Sequence, residues 1–116
     1  IQENKEKCYQ YYAPPPPPDH DTIEILLDYA HAKFELGDLE DAVQLLMDNI
    51  ENHDKDSRIF YRIASYIFTL GEFEKGYNFL HAGLKLNPKE YILLYEFAPF
   101  LENNQNITNI IDIYIN

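Results

Sequence analysis

Thirty-four residues separate Gly37 from Gly71, and the same offset aligns the residues on both sides of each glycine. Ala30 pairs with Ala64, Phe34 with Phe68, Leu36 with Leu70, Leu39 with Phe73, Leu46 with Leu80 and Ile50 with Leu84. Two consecutive units, Ile23–Asp56 and Ser57–Glu90, therefore repeat one design with no insertion between them. A fixed period of this size marks stacked supersecondary units, each unable to bury its apolar face without a neighbour. That points to a binding scaffold rather than a chemical machine.

Each unit reads as a helical hairpin. Ile23, Leu26, Leu27, Ala30 and Phe34 recur at helical spacing, and Leu39, Ala42, Val43, Leu46, Met47 and Ile50 trace a second amphipathic helix. Gly37-Asp38 separates them, since a glycine ends a helix by adopting a left-handed conformation at little cost. The second unit repeats this with Phe60, Ile63, Ala64, Ile67 and Phe68, a turn at Gly71, then Phe73, Gly76, Tyr77, Leu80 and Leu84, closed by Asn87-Pro88. Small residues at Ala30, Ala42, Ala64 and Gly76 let the paired helices approach closely. Before the first unit, Asp19, Asp21 and Thr22 supply helix-start candidates, and Pro14–Pro18 form an extended spacer after a tyrosine-rich stretch. The organisation is a tail and proline linker over 1–22 and a repeat domain over 23–116, in units 23–56, 57–90 and 91–116.

Composition narrows the function classes. With 116 residues, 46% hydrophobic and 15% aromatic, the chain is one folded domain. A net charge of −11 makes nucleic acid a poor partner, because phosphate binding needs a basic stripe. The charge is uneven: Ile23–Asp56 holds ten acids against Lys33 and Lys55, a net of −8, whereas Ser57–Glu90 holds three acids against five cations, a net of +2. That polarity can steer a charged partner, or simply reflect solvated outer faces. No apolar run approaches the roughly 20 residues of a membrane span. The lone Cys8 allows no internal disulfide and no metal cluster. The start at Ile1 without methionine reads as a fragment or processed form, with a cytoplasmic location expected.

The period of 34, the small residue eight places into each unit, the Leu-Gly-[Asp/Glu]-[Leu/Phe]-Glu turn and the late Leu-Asn-Pro resemble tetratricopeptide repeats. The frame extends over Tyr91–Asn116, where Ala98, Ile107, Ile110 and Tyr114 fall on repeat positions. There are departures. Leu26 and Phe60 stand where the family often has tryptophan, Gln105 replaces the turn glycine, and Pro99 lies inside the third unit's first helix, where it kinks or shortens it. The resemblance implies an all-α, right-handed superhelix of about three helix pairs, whose first helices line a concave groove that binds a peptide or protein segment. Carried onto this chain, the groove takes Glu24, Leu27, Asp28, His31 and Glu35 from the first unit. The second supplies Arg58, Tyr61, Arg62, Ser65 and Thr69, and the third Tyr95. Tyrosine and arginine are favoured anchors. Arg58 and Arg62 either meet the partner or pair with Asp28 or Glu24 inside the stack. Only these two match the family's clamp for a terminal carboxylate. His31 and Leu27 stand where asparagine and lysine are required, so a chaperone-tail clamp is not expected.

No catalytic constellation is expected, and no cofactor or metal. His20, His31, His53 and His81 are scattered, and the four glycines form no phosphate cradle. A second class of function is a non-catalytic appendage of a larger bacterial multidomain enzyme. Some of these, glycosyltransferases among them, end in similar repeats with a stretch like Leu101–Tyr114. A third class is self-association. Ile107, Ile111 and Tyr114 share one packing face, Ile110 and Ile113 extend the apolar arc and Ile115 falls elsewhere around the helix, which points to a homodimer or to docking of the Tyr-Pro tail over this end.

Overall fold

The structure is a computed structural model and describes residues 22–116. The readings of Cys8, the tail tyrosines, Pro14–Pro18, Asp19 and His20 concern residues outside this range. Every regular element within it is helical. They are α1 (Ile23–Glu35), α2 (Leu39–Asp48), α3 (Ser57–Thr69), α4 (Phe73–Leu86), α5 (Ile92–Phe97) and α6 (Gln105–Ile115), with 3-10 turns at Ile50–His53, Pro88–Glu90 and Pro99–Asn103.

The two repeat units close in the same way. Gly37 and Gly71 take φ of +89° and +88°. After α1, the amide of Gly37 donates to Phe34 O at 3.1 Å and that of Asp38 to Lys33 O at 2.9 Å. After α3, Gly71 donates to Phe68 O at 2.9 Å and Glu72 to Ile67 O at 3.2 Å. Both satisfy carbonyls that a helix end leaves without partners. The helix starts differ. Asp56 caps α3 by accepting from the Arg58 amide at 3.0 Å. Thr22 occupies the cap position of α1 in extended conformation, but its hydroxyl makes no cap bond.

Helix α3 lies between the units, and nine of its thirteen residues are buried, too many for a helix with one dry face. Ile59, Ile63, Tyr66 and Ile67 join Leu26, Ala30, Ala42 and Leu46 in a first core cluster. Tyr61, Ala64 and Phe68 turn the other way, into a second cluster with Leu80, Leu84, Leu94, Leu101, Ile107 and Ile111. The small residues do what their positions imply. Ala30, Ala42 and Ala64 are fully buried, and a Cβ on Gly76 would stand 2.5 Å from the Phe68 ring.

The third unit departs from the pattern. Ala98, forced out of the helical region before Pro99, adopts φ −143° and ψ 63°, so α5 stops after Phe97 and a 3-10 turn follows. There is no glycine turn here. Asn104 is extended and its side chain accepts from the Ile107 amide at 3.1 Å, so Gln105 opens α6 instead of occupying a turn. The earlier start places Ile107 and Ile111 fully inward, whereas Ile110 and Tyr114 are only partly buried. No helix among the described residues is long and apolar enough to cross a membrane.

Candidate functional site

The first helices α1, α3 and α5 are neighbours, and the middle one bridges the other two. Arg62 on α3 donates from a guanidinium nitrogen to the Leu27 carbonyl of α1 at 3.3 Å. Its guanidinium carbon also lies 3.8 Å from the centre of the Phe97 ring of α5. A cation stacked on an aromatic face contributes about 0.5–2 kcal/mol. Phe97 in turn meets His31 edge-on at 5.3 Å and Phe34 at 6.0 Å, and Phe34 stacks on Tyr66 at 5.0 Å. An aromatic floor thus joins all three helices.

Around that floor the expected groove residues separate into two groups. Glu24, Asp28 and Glu35 are exposed, and His31 is partly exposed with Nε2 3.5 Å from Glu35. Arg58 and Arg62 reach the same face. Tyr61 and Ser65 do not: both are fully buried, which corrects their assignment as groove contacts. The Tyr61 ring packs against α4, where the missing Cβ of Gly83 leaves room for it, and its hydroxyl donates to Asn87 O at 2.8 Å. Burial pushes its phenol pKa upward. The Ser65 hydroxyl donates to Arg62 O at 2.8 Å. Leu27 is also buried and adds no contact area, while Thr69 is exposed but returns its hydroxyl to Ser65 O at 2.8 Å. Tyr95 lies apart from the arginines, in a cleft of about 290 Å³ with Tyr91, Thr108, Ile111 and Ile115. Burial raises its phenol pKa.

The open question about the arginines resolves toward ion pairing within the stack for Arg58 alone; Arg62 meets neither Asp28 nor Glu24. Arg58 donates to Glu24 at 3.0 Å and to Asp56 at 2.7 Å. These charge-assisted bonds hold both carboxyls below their ordinary pKa and raise that of the guanidinium. Arg62 lies flat on Phe97. Between them, Leu27, Arg58, Arg62, Leu93 and Glu96 leave a cavity of only about 40 Å³. The face is therefore a shallow platform on which Asp28 and Glu96 are exposed acids, Glu35 lies beside His31, and Arg62 is a cation held by a carbonyl and a ring instead of a carboxylate.

Sequence reasoning missed Phe97. It is one period beyond Ile63, whose side chain faces the preceding unit, and that register was the available signal.

A second cleft, of about 640 Å³, lies at the loop side between Asn52–Arg58 and Leu86–Glu90. Of its charged groups, Asp56 pairs with Arg58 and Glu90 with the Ser57 hydroxyl, while Asp54 and Lys55 are exposed. Among the described residues, no three His, Cys, Asp or Glu side chains are grouped to hold a metal ion. The chain matches no protein-family model, no curated protein and no solved structure.

Proposed function

We propose that this chain is a protein-interaction module of the tetratricopeptide kind, a right-handed stack whose first helices α1, α3 and α5 present one recognition face. The observation that supports it is Arg62, which touches α1 through the Leu27 carbonyl and α5 through the Phe97 ring, so that three helices share one surface. With Arg58 neutralised by Glu24 and Asp56, the acids Asp28, Glu96 and Glu35, the last beside His31, outnumber the Arg62 cation on that surface. The partner that complements it is a basic segment, held by screened electrostatics at the rim and by aromatic contact with Phe97 and His31. An array of basic, neutral and acidic peptides tests this reading. Basic peptides bind, and Asp28→Lys, Glu96→Lys or added salt weakens them. Preference for acidic peptides, or full binding by both variants, overturns it.

Association through α6 is a second reading, favoured by Ile113 and Ile115, which are 76% and 42% exposed. It serves equally a homodimer or docking within a larger enzyme. Sedimentation of the parent beside Ile113→Lys/Ile115→Lys tests it: a concentration-dependent dimer lost in the variant supports the reading, and a monomer in both removes the homodimer.

A further inference from the structure

Apart from the arginines, the third unit builds a cleft of its own. Tyr91 precedes α5 with helical φ −56° and ψ −23°, and Tyr95 follows four positions later, so both rings come to one side of the helix. Their ring centres are 6.3 Å apart and their planes cross at 82°, which makes two walls of an aromatic corner. The remaining wall belongs to α6, where Thr108, Ile111, Asp112 and Ile115 recur at helical spacing on one face. Glu102 enters from the 3-10 turn Pro99–Asn103 that joins the two helices. The cleft measures about 290 Å³. Small-molecule pockets run to roughly 300–1,000 Å³, so this one suits a single head group or side chain.

Its charge has one sign. Tyr91–Asn116 contains the acids Glu96, Glu102 and Asp112 and no lysine, arginine or histidine. Glu102 and Asp112 are exposed, and among the described residues neither takes part in an ion pair. Burial raises the Tyr95 phenol pKa, and the carboxylates of Glu102 and Asp112 act in the same direction, which places both acids near that ring. Electron-rich rings and two carboxylates together attract a cation. A metal ion is a poor match, since no three His, Cys, Asp or Glu side chains are grouped among the described residues. A primary ammonium is strongly hydrated and needs acceptors in place of its water. Tyr91, Tyr95, Ile111 and Ile115 offer rings and aliphatic carbons instead, which suit an ammonium whose hydrogens are replaced by methyl groups. We infer that this cleft binds a quaternary ammonium group, with Tyr91 and Tyr95 against its methyl groups and Glu102 and Asp112 as its counter-charge. The site stands independently of the basic segment proposed for the face of α1, α3 and α5.

Amide chemical shifts of the full chain test it, with choline and the neutral dimethylbutanol in which carbon replaces the nitrogen titrated separately at constant ionic strength. Choline gives saturable shifts centred on Tyr91, Tyr95, Thr108 and Asp112, and the neutral isostere binds more weakly by about fivefold or more. Tyr95→Leu weakens choline by roughly two- to thirtyfold and Tyr95→Phe retains it, with helix content by circular dichroism unchanged. Glu102→Gln/Asp112→Asn, at exposed positions that leave the fold intact, weakens it by roughly two- to tenfold. A trimethyl-lysine peptide is compared with choline: tighter binding by the peptide places the group on a protein, the reverse on a free small molecule, and either order upholds the site. Equal binding of choline and its isostere overturns the inference, because the cleft then selects apolar bulk alone. Shifts that do not saturate, that centre on Asp28 and Glu96, or that are unchanged in Glu102→Gln/Asp112→Asn overturn it as well.

Discussion

Gly37 and Gly71 stand one period apart and share a backbone conformation, φ +89° and +88°, with nothing within 4 Å of where a Cβ would sit. Space is therefore not what selects glycine at these turns; the left-handed φ is. Replacing either by alanine is expected to cost about 1–2 kcal/mol, the strain of an L-residue in that region, and valine more. Thermal melts check this, since about 1 kcal/mol moves the midpoint by roughly 4–8 °C in a domain of this size. Valine variants melting with the parent contradict the turn geometry.

Gly76 is selected by space instead. Its added Cβ would lie 2.5 Å from the Phe68 ring, which is 1% exposed and held by Phe73 at 5.2 Å and Tyr77 at 5.6 Å. Gly76→Ala is predicted to destabilise by about 1–3 kcal/mol, although alanine is the better helix former. Because the conflict is with one ring, Gly76→Ala/Phe68→Leu recovers part of the loss relative to the sum of the single changes. Additive effects in a double-mutant cycle contradict the contact.

The Arg58 pairings set a pH dependence. Glu24 and Asp56 are held below their ordinary values of 4.5 and 3.8 by hydrogen bonds from Arg58. A depressed carboxyl stabilises the fold above its unfolded pKa and loses that contribution as pH falls through the folded one. Arg58→Gln is thus expected to lower stability near neutral pH only slightly, because the pairs are largely exposed and screened by solvent. Denaturant melts of the two proteins converge as pH falls below the ordinary carboxylate range. A gap that stays constant down to acid pH contradicts the assignment.

The elements visible in the sequence were those dictated by local chemistry at a fixed period. The paired glycines set the two hairpin turns, and Pro99 ended α5 through the residue before it. The misplaced features depend on neighbours in space. Tyr61 looks like an exposed anchor until Gly83, on a different helix, is seen to leave room for its ring, and Asn87 to accept its hydroxyl. The missing turn glycine before α6 was visible at Gln105, but the Asn104 cap that takes its place is a weaker signal than the glycines of the first two units. The Glu24–Arg58 pair joins equivalent positions of adjacent units, so it was foreseeable as one of two outcomes. The choice between them required the position of Asp56, which orients the guanidinium from the other side.

The face proposed to receive a basic segment is shared by α1, α3 and α5. Amide chemical-shift mapping of the full chain, titrated with a lysine- and arginine-rich peptide, tests it most directly. Saturable shifts are expected to concentrate on Asp28, His31, Glu35, Arg62, Glu96 and Phe97 and to diminish with salt. Shifts confined to the outer helices α2 and α4, or none at all while an acidic peptide produces them, would contradict it.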